Sequence, residues 1–123
     1  NLLGRKMEPH KTRVFLVNTG WSGGPYGTGS RIDITQTRAM LDAAMEGQLD
    51  NVSYTENKRF HLSVPDSCPG VNAEILHPEN TWSDKNAFER RAEALAREFS
   101  DYFDHAYSNA DIDPAVRAQC PGK

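Results

Sequence analysis

The chain has 123 residues, of which 37% are hydrophobic and 25% are charged, and its formal net charge is −3. This length suits one domain, and the apolar content is too high for a disordered chain. Because no basic excess is present and no apolar run approaches the roughly 20 residues that cross a bilayer, we expect neither a nucleic-acid partner nor a membrane.

The N-terminal stretch NLLGRKMEPHKTR contains no signal-peptide core and reads as the last turns of a helix. It lacks an initiator Met, and we therefore expect the sequence to be part of a longer polypeptide. Residues 14–17 form a short continuous apolar run bounded by a turn, which predicts a buried strand. Residues 20–29 carry five glycines, a density that predicts a loop without regular structure.

A helix is predicted directly after the glycine-rich stretch. Asp33 and Thr35 are alternative N-caps, and Gly47 marks the end of the helix, with Leu49 closing over the turn. The apolar residues near helical spacing are Ile34, Leu41, Ala44, Met45 and Leu49.

A strand is predicted next, because Phe60, Leu62 and Val64 alternate with polar residues up to Pro65. Tyr54 begins either the partner of this strand or an earlier part of the same strand.

The C-terminal third is predicted to be mostly helical. The stretch VNAEILHPENTW predicts a helical turn that ends at Pro78, and Ser83 is the predicted N-cap of the longest helix. The apolar face of that helix consists of Phe88, Ala92, Leu95, Phe99 and Phe103. Residues 109–123 are polar and interrupted by proline, which predicts a flexible tail. The order of elements predicts a mixed α/β fold.

The glycine-rich loop does not match the usual phosphate-binding motifs. Gly24 and Gly29 have the spacing of a Walker A loop, but Ser30 and Arg31 stand where Lys and Ser/Thr are required. The glycine order G-x-x-G-x-G also differs from the dinucleotide-binding G-x-G-x-x-G.

Two interpretations of this loop remain open from the residues alone. It is either a surface connector or a ligand-contacting loop. A ligand is favoured by the helix start that follows, whose free N–H groups attract anions. Arg31 adds a flat cation that stacks on a base or pairs with a phosphate. Trp21 and Tyr26 either stack on a ligand or pack the loop into place, and we expect the packing role.

The other chemistry-bearing residues predict no catalytic or metal site. The histidines at positions 10, 61, 77 and 105 are scattered, and no Ser-His-Asp or Cys-His arrangement is present. Cys68 and Cys120 form no CxxC pair, and we expect both to be reduced thiols of a cytoplasmic protein.

The segment FLVNTGWSGGPYGTGSRIDITQTRAMLDAAMEG resembles the C-terminal region of ATP-dependent phosphoenolpyruvate carboxykinase, and FHLSVPDSCPGV and ILHPENTW continue the similarity. The resemblance implies that residues 1–108 are the C-terminal segment of the ATP-binding carboxykinase domain. It also implies a cytoplasmic carboxy-lyase of gluconeogenesis, which converts oxaloacetate and ATP to phosphoenolpyruvate, ADP and CO2 with Mg²⁺ and Mn²⁺.

The resemblance assigns nucleotide contacts to Arg31, Ile32 and Thr37. Ile32 is expected to face adenine, Arg31 to lie near the nucleotide, and Thr37 to reach a base or sugar edge. Family members often carry lysine where this chain has Ser30, so no phosphate contact is assigned to that position.

The phosphate loop, the metal ligands and the oxaloacetate-binding arginine of the family have no counterpart in this sequence. The chain is therefore expected to be inactive alone and to act with the remainder of the same polypeptide. The alternative is a stand-alone, non-catalytic module that binds a nucleotide or a protein.

Overall fold

The computed structural model describes residues 2–123 and confirms the mixed α/β fold. Its elements in chain order are α1 (Leu2–Met7), a 3-10 turn (Glu8–His10), β1 (Trp21–Ser22), β2 (Ser30–Arg31), α2 (Ile34–Met45), β3 (Tyr54–Asn57), β4 (Leu62–Pro65), α3 (Ala73–Leu76), α4 (Pro78–Thr81), α5 (Lys85–Tyr107) and α6 (Pro114–Arg117). Within residues 2–123, no helix has the length and apolar character needed to cross a membrane.

The described strands form two separate antiparallel pairs, β1 with β2 and β3 with β4. In the second pair Tyr54 lies opposite Pro65, which confirms that Tyr54 begins the partner strand and that the strand ends at Pro65. Phe60 lies in the turn between β3 and β4, so the prediction that it belongs to the strand is wrong. The residues between positions 57 and 62 form the turn. The alternation of apolar and polar residues therefore starts, at Phe60, before the strand does.

Both ends of α2 lie where the sequence predicts them. Asp33 is the N-cap, and its carboxylate accepts a hydrogen bond from the Thr35 amide at 2.7 Å. At the other end Gly47 has φ of +71°, a conformation that a residue with a Cβ rarely adopts. This turn lets the Gln48 amide donate to the Ala43 carbonyl at 2.9 Å, as in a Schellman motif.

The buried face of α2 differs from the predicted one. Ile34, Leu41 and Met45 are exposed, whereas Thr37 and Ala43 are buried. Ala43 packs with Leu49, from the turn after α2, and with Cys68, which follows β4. The core cluster consists of Ala43, Leu49 and Cys68, with Met40, Ala44, Val52, Val71 and Leu76 packed against it.

The prediction of a buried strand at residues 14–17 is wrong for the structure described here. These residues have no regular structure, and the side chains of Val14, Phe15 and Leu16 are 58%, 36% and 79% exposed. A strand is stabilised by hydrogen bonds to a neighbouring strand, and none of the four described strands pairs with this run. The run instead lines an open apolar depression of about 490 Å³.

The helices after β4 begin at residues other than those predicted. Pro78 begins α4 instead of ending the helical region, because proline is well tolerated in the first turn of a helix. The N-cap of α5 is Asp84 and not Ser83, since the Asp84 carboxylate accepts a hydrogen bond from the Ala87 amide at 2.9 Å.

The apolar face of α5 is only partly buried. Ala92 and Ala96 are buried, but Phe99 is exposed. The C-terminal residues fold back onto this helix, and the Cys120 thiol lies 3.8 Å from the Phe99 carbonyl oxygen. Residues 109–123 therefore contact α5 in this structure, while their flexibility in solution stays a prediction.

Candidate functional site

The glycine-rich stretch forms the first strand and the turn of a short hairpin, so the prediction of a loop without regular structure over residues 20–29 is wrong at Trp21–Ser22. β1 pairs with β2 so that Trp21 lies opposite Arg31. Between the strands, the amides of Thr28 and Gly29 both donate to the Pro25 carbonyl, at 3.0 and 2.9 Å. These bonds close the turn and carry the chain back to Arg31.

The base of the hairpin is held by the Asn18 side chain. Its Oδ1 accepts from the Gly20 amide at 2.9 Å, and its Nδ2 donates to the Trp21 carbonyl at 3.1 Å. The Ile32 amide in turn donates to the Gly20 carbonyl at 2.9 Å. The positions of Arg31 and Ile32 are therefore fixed by backbone bonds across the hairpin.

The three residues to which the sequence assigns nucleotide contacts lie along one depression of about 600 Å³. Its lining residues are Thr19, Arg31, Ile32, Asp33, Ile34 and Thr37. Thr37 joins the two hairpin residues because α2 begins directly after them, and its amide donates to the Asp33 carbonyl at 3.1 Å in the first helical turn. The structure thus brings Arg31, Ile32 and Thr37 together.

The polar groups of this depression are available to a ligand. Arg31 is exposed, and its guanidinium forms no ion pair or hydrogen bond with another described residue. Thr37 is only 6% exposed, and its hydroxyl is bonded to no other described residue. Because no fully buried side-chain oxygen among residues 2–123 lacks a partner, the Thr37 oxygen is not fully buried, and Thr37 lines the depression.

The start of α2 is occupied by the chain's own carboxylate. Asp33 accepts hydrogen bonds from the Thr35 hydroxyl at 2.6 Å and from the Thr35 amide at 2.7 Å. Both bonds lower the pKa of Asp33 below its usual range, and the bond from the hydroxyl has the larger effect, so the carboxyl group is ionised at neutral pH. The Thr35 amide is therefore not open to an anionic ligand.

The two large rings of the hairpin pack on each other at the surface. Trp21 and Tyr26 meet edge to face with ring centroids 5.2 Å apart, and Tyr26 is 84% exposed. They do not anchor the hairpin in the core. Because Trp21 lies opposite Arg31 in the strand pair, its ring is on the same face as the guanidinium.

The described residues offer neither a metal site nor a reactive thiol. Among residues 2–123, no three His, Cys, Asp or Glu side chains are placed to hold a metal ion. Cys68 and Cys120 are buried free thiols, as expected. Burial raises the pKa of the Cys68 thiol, which makes it a poor nucleophile at neutral pH.

Two residues of this site carried no functional prediction. Asn18 holds the base of the hairpin. Its position before a Thr-Gly turn could have predicted this role, because Asn side chains often bond the backbone two residues further along. Thr19 lines the depression, and no local pattern marks it.

Comparisons with known proteins give consistent matches. The family model described as phosphoenolpyruvate carboxykinase, in its ATP-dependent class, matches residues 1–74. Phosphoenolpyruvate carboxykinase (ATP) of Caldanaerobacter subterraneus subsp. tengcongensis is 53% identical over 102 residues, which are 83% of this chain and 20% of that protein. The protein of the same name from Geobacillus kaustophilus is 50% identical over 115 residues, covering 94% of this chain and 21% of that protein. The Flavobacterium johnsoniae protein is 47% identical over 113 residues. The chain thus spans about a fifth of the length of the curated relatives that it matches.

Proposed function

The chain belongs to the ATP-dependent phosphoenolpyruvate carboxykinase family, and from this premise we propose that it is a nucleotide-binding segment of such an enzyme. Residues 1–108 would form the C-terminal part of the ATP-binding domain, and residues 109–123 its tail. The complete enzyme would convert oxaloacetate and ATP to phosphoenolpyruvate, ADP and CO2. The segment alone would not turn over, because it spans about a fifth of its relatives.

The observation that carries this proposal is the depression shared by Arg31, Ile32 and Thr37. The guanidinium and the hydroxyl are bonded to no other described residue. In a nucleotide site a guanidinium binds the phosphates, an aliphatic side chain packs on the base, and a hydroxyl bonds a polar edge of the base or sugar. We assign the aliphatic face of Ile32 to adenine, the guanidinium of Arg31 to the charged part of the nucleotide, and the Thr37 hydroxyl to a base or sugar edge.

The described residues do not fit the Mg²⁺ and Mn²⁺ ions that the family implies, because no group of carboxylate, imidazole or thiol side chains converges among residues 2–123. We therefore place the metal ligands in the part of the enzyme that lies outside this chain. The contribution of this chain is to bind and orient the nucleotide. Transfer of a phosphoryl group depends strongly on such positioning and on cations near the phosphates.

Replacing Arg31 with alanine in the complete enzyme is expected to raise the KM for ATP by about 10- to 100-fold, because a hydrogen bond to a charged group is worth about 1.5–3 kcal/mol. The side chain is exposed and bonded to no other described residue, so the fold should be retained. The measurement is a coupled assay of phosphoenolpyruvate formation at varied ATP concentration.

Arg90→Ala is the matched control. Its side chain is 71% exposed and lies 3.9 Å from the Asp84 carboxylate, on α5 and outside the depression. This variant should keep the KM for ATP of the unmodified enzyme. An unchanged KM in Arg31→Ala would remove Arg31 from the site, and an enzyme that used GTP but not ATP would contradict the proposed nucleotide.

A further inference from the structure

A pair of hydroxyl groups joins the hairpin to a part of the chain that is distant in sequence. The Ser22 hydroxyl donates to the Thr81 hydroxyl at 3.1 Å across a separation of 59 residues. The Thr81 hydroxyl donates in turn to the Pro78 carbonyl at 2.8 Å, within α4. Ser22 is thus linked through Thr81 to the backbone of a helix.

The backbones also approach closely at this point. A Cβ added at Gly23 would lie 3.0 Å from the Thr81 carbonyl oxygen, so the hairpin lies directly against the last residue of α4. In the strand pair Ser22 is opposite Ser30, the residue before Arg31. Thr81 is therefore joined to Ser22 by a hydroxyl bond, and Ser22 is paired with the residue next to Arg31.

A second depression of about 460 Å³ marks the same junction. Its lining includes Ser22, Gly23, Arg31 and Thr81. Arg31 therefore borders both this depression and the one that holds Ile32 and Thr37. Movement of the hairpin relative to α4 would displace Arg31 from both.

We propose that Thr81 is a positioning residue for nucleotide binding, which fixes the hairpin through Ser22 and so holds Arg31 at the nucleotide. This inference rests on the proposed function. Thr81 lines the second depression beside Arg31, but it belongs neither to the depression that contains Thr37 nor to the core cluster. Because its hydroxyl bonds to Ser22, we expect its effect on ATP to pass through the hairpin. Its hydroxyl is suited to this role because it accepts one hydrogen bond and donates another at the same time.

The test uses the complete enzyme and three variants. Thr81→Val keeps the β-branched shape and removes the hydroxyl, with its bonds to both Ser22 and Pro78. We expect the KM for ATP to rise about fivefold while kcat stays within about twofold, as for loss of the one neutral hydrogen bond that reaches the hairpin. Thr81→Ser keeps the hydroxyl and should restore the KM. Thr55→Val is the matched control, because it loses a 2.6 Å bond to the Asp66 carboxylate away from the hairpin, and it should leave the KM unchanged.

A double-mutant cycle with Ser22→Ala separates positioning from general stability. If both residues act through one bond, Ser22→Ala should raise the KM by a similar factor, and the double variant should be no worse than either single variant. Additive effects, failure of Thr81→Ser to restore the KM, or an unchanged KM in both Thr81→Val and Ser22→Ala would overturn the inference. If in addition Arg31→Ala raises the KM, the proposed function stands without the role of Thr81. If Arg31→Ala also has no effect, the proposed function fails as well.

Discussion

Replacing Gly29 with alanine is expected to destabilise the chain by about 3 kcal/mol, at the upper end of the usual cost of forcing extra atoms into a packed site. A Cβ at this position would lie 2.5 Å from the Ser22 carbonyl oxygen and 2.8 Å from the Gly24 amide nitrogen, and it would also contact the Gly24 carbonyl oxygen. All three neighbours are backbone atoms, which cannot move aside as a flexible side chain does. The hairpin must therefore open, and Arg31, two residues further along, must move with it.

Urea denaturation of the chain gives the free energy of unfolding and so measures the loss of stability. The KM for ATP of the complete enzyme measures the displacement of Arg31. Gly4→Ala is the matched control, since nothing lies within 4 Å of the Cβ that it adds on α1. That change should be neutral or stabilise by about 0.5 kcal/mol, as alanine favours helix over glycine. If Gly29→Ala changes neither the free energy of unfolding of the chain nor the KM for ATP of the complete enzyme, the hairpin does not have the conformation described.

Replacing Leu49 with alanine is expected to lower the free energy of unfolding by about 2–5 kcal/mol, the usual cost of removing a buried leucine side chain. Leu49 is only 5% exposed and packs in the core cluster with Ala43 and Cys68. The cluster is small, so few neighbouring side chains are present to fill the cavity. For a domain of this size the loss is a large part of the total stability.

Leu16→Ala makes the same chemical change at a side chain that is 79% exposed. In this chain it should alter the free energy of unfolding by less than about 0.5 kcal/mol, as expected for surface substitutions. Chemical denaturation of both variants under one set of conditions gives the comparison. Equal losses at positions 16 and 49 would contradict the assignment of the core to the cluster around Leu49.

Local signals in the sequence were sufficient for features that depend on neighbouring residues. The cap at Asp33, the end of α2 at Gly47 and the closure by Leu49 all involve groups within a few residues of one another. The resemblance to a known family identified Arg31 and Thr37 as residues of interest, and hydrogen bonds at the start of α2 place them along one depression.

Features that depend on distant parts of the chain were not predictable in this way. The apolar run at 14–17 has the composition of a buried strand, but burial requires a partner strand that the described residues do not provide. Ile34 and Met45 are exposed for the same reason, because helical spacing does not show which face of a helix packs against another part of the chain. The contact of Thr81 with the hairpin spans 59 residues and leaves no local pattern.

The most direct measurement is a crystal structure of the complete enzyme with a bound, non-hydrolysable ATP analogue. We expect adenine to pack against Ile32, the Arg31 guanidinium to lie beside the charged part of the nucleotide, and the Thr37 hydroxyl to bond to a base or sugar edge. A nucleotide bound elsewhere, with the Arg31 side chain directed into solvent, would contradict the proposed role of the hairpin.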